Sequence, residues 1–91
     1  MKYNIHPMGK YKKDVKLAAS RGYNLKLLND VITVLANGEK LDEKYKDHEL
    51  HGEYKGFREC HIQPDWLLIY SRETTIKIVT LVRTGTHSDL F

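Results

Sequence analysis

The run Trp66-Leu67-Leu68-Ile69-Tyr70 constrains this chain more than any other segment. An unbroken stretch of apolar and aromatic residues rich in strand formers suits a central strand. Turn chemistry bounds it on both sides. Gln63-Pro64-Asp65 precedes it, where proline presets one backbone angle and aspartate tolerates turn positions. Ser71-Arg72-Glu73-Thr74 follows as the next turn. Beyond these turns, Gly56 to Ile62 and the β-branched stretch Thr75 to Val82 read as strands. A parallel crossover needs about a dozen residues or more, so connections this short impose an antiparallel meander.

Upstream the period changes. Residues 2–6 alternate, with Tyr3 and Ile5 on one side, and make a short strand that Pro7 ends. From Met8 to Arg21 the apolar positions Met8, Tyr11, Val15, Ala18 and Ala19 recur at helical spacing. Gly22 is a stop signal, and Asn24 caps a second helix whose stripe is Leu25, Leu28, Val31, Ile32 and Leu35. Asn37-Gly38 closes it. The charged residues 39–53 show no period and read as a surface loop. The order predicts an α+β fold: an N-terminal strand, a two-helix hairpin, then three antiparallel strands, with both helices on one sheet face. Ninety-one residues suffice for one such domain, spanning 1–91, and not for two. The end of the chain reads as a tail that buries little core.

Composition narrows the setting. No apolar run approaches the roughly 20 residues a membrane span needs, and no signal-peptide pattern is present. The lone Cys60 has no internal disulfide partner, which points to a reducing cytoplasm. On a strand it alternates with Glu59 and His61, so it faces the other way and packs as a small hydrophobe. The net charge of +3 is a weak signal alone, but Lys10, Lys12, Lys13, Lys16, Arg21 and Lys26 crowd the first third.

Four of the five histidines fall between His48 and His87, in KDHELHG, FRECHIQPDW and RTGTHSDLF. Histidine exchanges protons near neutrality. Cleaving RNA without a metal needs a base for the 2′-hydroxyl, an acid for the departing 5′-oxygen and a cation for the phosphorane. His48, His61 and His87 supply the first two services, Arg83 the third, and Asp65 or Glu59 can orient an imidazole. Trp66 and Phe91 offer faces for an exposed base. Each has a plainer reading. His48 can be solvated loop, His61 a structural strand-end residue, Trp66 core, Arg83 an ion-pair partner, and His87 with Phe91 a loose tail. A metal alternative, His48-x-x-His51 with His61 or Asp65, matches no strong ligand spacing. No metal and no cofactor is expected.

Those blocks, with YKKDVKLA in the first helix, resemble the YafQ-type toxins of the RelE/ParE superfamily across nearly the whole chain and in order. The resemblance implies a type II toxin that enters the ribosomal A site and cuts mRNA. It also implies a cognate antitoxin, in a heterotetramer or larger complex. On the family's pattern His48, His61, Asp65 and His87 are catalytic and Arg83 handles the scissile phosphate. Trp66 and Phe91 line the site, and Glu59 stands where a relative carries aspartate. Lys12, Lys13 and Lys16 would meet ribosomal RNA phosphates. His51 has no counterpart. The alternatives are a toxin of the same fold that binds a protein such as DNA gyrase without cutting RNA, and a plain RNA-binding module.

Overall fold

The structure is a computed structural model and describes residues 2–91. Its sheet comprises β1 (Asn4–Pro7), β2 (His48–Glu49), β3 (Arg58–Gln63), β4 (Trp66–Glu73) and β5 (Ile78–Gly85), in the order β1-β5-β4-β3-β2. The helices are α1 (Gly9–Ser20), α2 (Leu25–Ala36) and the single turn α3 (His87–Leu90). The meander β3-β4-β5 is antiparallel as expected, and β1 joins its far edge parallel to β5.

Both long helices pack on one sheet face. Leu28, Val31 and Leu35 of α2 and Tyr11 and Ala18 of α1 meet Cys60, Trp66, Leu68, Tyr70, Val79 and Leu81 in the main core. The Asn24 side chain accepts from Lys26 N at 3.1 Å, so the anticipated cap is present. Gly22 and Gly38, at φ 79° and 76°, end the two helices in a left-handed conformation that suits glycine. Opposite the helices lies a smaller cluster. There Leu67 and Ile69 of the sheet meet Leu90 of α3, with Leu50, Tyr54, Phe57 and Val82 packed around them.

Four expectations need correction. The β4–β5 turn does not lie at Ser71–Thr74, because Ser71, Arg72 and Glu73 continue β4 opposite Thr80, Val79 and Ile78. The turn falls on residues 74–77, with Lys77 at φ 56°. The β-branched Thr74-Thr75 pair disguised it. Residues 39–53 are not all loop, since His48–Glu49 forms the two-residue strand β2 against β3. A strand that short has no period to read. The end of the chain is no loose tail: it forms α3 and buries Leu90 to 7% exposure. Finally, Trp66 is core and no stacking surface. It is 1% exposed, and its Nε1–H donates to Thr84 Oγ1 at 2.9 Å, which satisfies the indole away from solvent.

Candidate active site

Strand register assembles the site. Residues opposed across antiparallel strands share a sheet face. His48 lies opposite Glu59, Glu59 opposite Ile69, and Ile69 opposite Arg83. One transverse row on the face away from α1 and α2 therefore carries His48, Glu59 and Arg83. The next row carries His61 opposite Leu67. Cys60, between Glu59 and His61, turns to the helices and is fully buried, with burial holding its thiol protonated.

Two bulges set this geometry. In β5 the register shifts between Ile69 and Tyr70, so Val82 is the extra residue. Val82 and Arg83 then fall on the same face, where strict alternation would send Arg83 toward the helices. In β3 the register shifts between His61 and Gln63, beside the Pro64-Asp65 turn.

The imidazoles form a line. Ring centroids are 6.2 Å apart between His48 and His61, 6.2 Å between His61 and His87, and 5.9 Å between His87 and Phe91. In each histidine Nδ1 is held by an acceptor. His48 Nδ1 lies 2.8 Å from Lys46 O, and His61 Nδ1 lies 3.2 Å from Pro64 O. A carbonyl only accepts, so both Nδ1 atoms carry the hydrogen. His87 Nδ1 faces Asp65 Oδ1 at 3.3 Å, and the same oxygen accepts from His87 N at 3.1 Å. These bonds from His87 hold the Asp65 carboxyl below its ordinary range. In all three rings Nε2 is thus the nitrogen not taken by a backbone or turn acceptor.

Glu59 sits at the centre, buried to 3% exposure. Its Oε1 is 3.5 Å from His48 Nε2 and 3.7 Å from His61 Nε2. A carboxylate between two imidazoles can hold a proton on either, and the same donors suit a transition metal. His48, Glu59 and His61 each present a ligand atom within 4.8 Å of the others. This set differs from the HxxH reading, because His51 is not in it and a buried glutamate takes its place.

Two supporting residues escaped the sequence reading. Asp47 accepts from Tyr70 Oη at 2.6 Å and from Arg58 at 3.1–3.3 Å, anchoring the loop immediately before His48. Asp14 of α1 meets Thr84 N at 3.1 Å, where β1 no longer covers the β5 edge, and pairs bidentately with Arg83 at 2.7 and 3.1 Å. Their only sequence signal was a carboxylate at a position that needed none. Arg83 is consequently held, with Asp14 raising its guanidinium pKa first and the Tyr54 hydroxyl beside it adding a smaller push.

The C-terminal turn carries His87. Thr86 caps α3 by accepting from Asp89 N at 3.1 Å, and Asp89 returns the bond by accepting from Thr86 N at 2.9 Å. Arg21, just beyond α1, grips Asp89 at 2.7 and 3.1 Å. A Cβ on Gly85 would stand 2.9 Å from Asp89 Oδ2, so only glycine leaves room for this arrangement. Phe91 is 62% exposed, edge-on to Tyr54 at 5.7 Å. Lys12, Lys13 and Lys16 are exposed on α1.

A small α+β domain that gathers three imidazoles, two carboxylates and an arginine beside one sheet face has the groups that acid–base chemistry on a charged substrate requires. The family profile described as "Bacterial toxin of type II toxin-antitoxin system, YafQ" matches residues 3–91, and the chain belongs to that family. It is 45% identical to the mRNA interferase toxin YafQ of Escherichia coli K12 over 89 residues, covering 97% of this chain and 95% of that protein. A metal-bound toxin from Helicobacter pylori superposes with a TM-score of 0.91 at 45% identity, over 98% of this chain and 99% of that one. An E. coli DinJ-YafQ toxin-antitoxin complex matches with a TM-score of 0.89 at 42% identity, over 100% of this chain and 99% of its counterpart.

Proposed function

We propose that this toxin is an mRNA interferase that cuts message on the ribosome by histidine acid–base chemistry. The line of three imidazoles carries the reading, each with Nδ1 held by an acceptor and two of them sharing the buried Glu59 through Nε2. One Nε2 takes the proton of a ribose 2′-hydroxyl. The resulting oxygen attacks the adjacent phosphorus, the bond to the 5′-oxygen breaks, and a second imidazolium protonates that oxygen. Arg83 meets the phosphorane charge by exchanging Asp14 for phosphate oxygens. Phe91 receives a base beside His87. The likeness to the E. coli mRNA interferase supports this assignment, and the DinJ-YafQ complex supports a cognate antitoxin partner, assembled as a heterotetramer or larger. The place of action is the cytoplasm, where message and ribosomes are; no helix among the described residues is long and apolar enough to cross a membrane.

The test is to incubate ribosomes and message with the protein and characterise the ends. A 2′,3′-cyclic phosphate with a 5′-hydroxyl is expected. A 5′-phosphate would sink the 2′-hydroxyl mechanism. Intact message with inhibited DNA supercoiling would instead identify a gyrase-binding toxin.

A further inference from the structure

A groove runs along the outer edge of β3 where β2 has ended. β2 covers β3 only at Arg58 and Glu59, so from Cys60 onward that edge has no strand beside it. Leu27 and Asp30 of α2 form one bank, Lys44 and Tyr45 of a short 3-10 turn with Lys46 after it form the other, and Ile62 and Pro64 lie between. The volume, about 410 Å³, falls in the range of small-ligand sites.

Its walls are part of the catalytic arrangement. The two carbonyls that orient His48 and His61 belong to Lys46 and Pro64, and both residues line the groove. Lys46 holds a left-handed backbone conformation at φ 50°, unusual for a lysine. That conformation presents its carbonyl to His48, and such departures concentrate at functional sites. His61 itself forms the end of the groove. The space therefore borders the two residues whose carbonyls place His48 and His61.

We propose that the groove is a nucleotide subsite, taking one nucleotide of the message next to the bond that is cut. This rests on the RNA-cleaving reading and extends it to base recognition. Lys44 and Lys46 flank the rim and suit a phosphate. Leu27 and Pro64 give the base apolar walls. Asp30, whose two oxygens meet Lys26 Nζ at 3.5 and 3.1 Å, lines the groove with acceptor lone pairs to spare, and Gln63 beside it has a donor and an acceptor. A carboxylate acceptor selects bases that present an exocyclic amine, so adenine, cytosine or guanine is favoured over uracil. The open edge of β3, Cys60 to Gln63, is four residues long before Pro64, shorter than the usual strand and a poor seat for an added peptide strand. The two cations at the rim also favour a phosphate-bearing occupant.

The intact toxin, labelled with ¹⁵N, is titrated with adenosine 5′-monophosphate and with uridine 5′-monophosphate. Amide shifts concentrated at Lys44–Lys46 and Gln63 are expected, several-fold tighter for the adenosine form. Lys44→Glu should remove them, as should Leu27→Trp, which fills the space. In parallel, wild type and Asp30→Ala are compared on ribosomes carrying randomised message. Asp30→Ala should lose about tenfold discrimination at one position beside the cut, with melting unchanged. If Leu27→Trp does not fold, the surface variants Lys44→Glu and Asp30→Ala still decide the matter. A wild type that binds the nucleotide in the groove but leaves message intact keeps the subsite and removes the nuclease reading. A wild type that cuts message while Asp30→Ala and Lys44→Glu cut the same sites at the same rate overturns the subsite. Loss of antitoxin binding in these variants with unchanged cutting also overturns it, in favour of a peptide groove.

Discussion

His87 differs from His48 and His61 in what holds it. The other two lean on backbone carbonyls of the fold and face the buried Glu59. His87 is exposed and leans on Asp65, an exposed side chain. Its replacement should therefore leave the fold alone. His87→Gln is expected to slow single-turnover cutting by about 10²–10⁴, the usual worth of a positioned acid or base, with melting and antitoxin binding unchanged. Cutting at the wild-type rate would remove His87 from the mechanism. Trp66 is the opposite case. Trp66→Phe deletes the indole donor to Thr84 and leaves a small void beside Tyr23, which packs on the indole at 4.9 Å between ring centroids. A loss of about 1–3 kcal/mol in denaturant stability is expected. The cutting rate per folded molecule should stay at wild type; a fall with stability preserved would restore Trp66 as a site residue.

At the scale of elements, α3 is a single turn whose placement depends on a clasp. Arg21 grips Asp89, and Asp89 closes the capping box that starts the turn bearing His87. Arg21→Gln should reduce cutting more than it reduces stability, because a surface ion pair adds little to stability while misplacement of His87 acts directly on the chemistry. Ribosome affinity should not change; if affinity falls and the rate at saturation holds, Arg21 serves docking instead. The same clasp has a pH limit. Arg21, and then the Thr86 N–H, hold the Asp89 carboxyl well below the usual carboxylate range. A depressed pKa stabilises the folded form above the unfolded value, near 3.9, and that stabilisation fades as pH falls from there toward the folded value. Methyl signals of Leu90 followed from pH 6 downward should hold steady to about pH 4 and shift below it. In Asp89→Asn this acid-induced change should disappear. Removing the chain from Ser88 onward would delete both Asp89 and buried Leu90, so it should cost stability as well as activity.

Across the whole molecule, the α1 lysines and the line of histidines occupy different surfaces. The exposed lysines of α1 lie on a helix that packs on the opposite side of the sheet from His48, Glu59 and His61. Reversing Lys12, Lys13 and Lys16 to glutamate should weaken ribosome binding and flatten its dependence on salt, each lost phosphate contact reducing the slope by about 0.7–0.9. The single-turnover rate at saturating ribosome should change little. Reversals that slow chemistry and leave binding and its salt slope intact would place these lysines in the catalytic step.

Much of this was legible in the chain. Helical periodicity over residues 8–36 and the dense strand at Trp66 determine the layers, because burying one helix stripe against one sheet face is a local pattern repeated many times. The short turns determine the antiparallel meander, and the grouping of His48, His61, Asp65, Arg83 and His87 was readable as residue types. The sequence alone did not determine their geometry. Arg83 reaches the histidine face only because Val82 bulges, and a bulge depends on pairing with another strand. Glu59 becomes the hub of two imidazoles only because a two-residue strand lays His48 opposite it. Trp66 fell to the core because the indole found Thr84 there, on a strand eighteen residues away. Contacts of that kind join residues distant along the chain, and no local period records them.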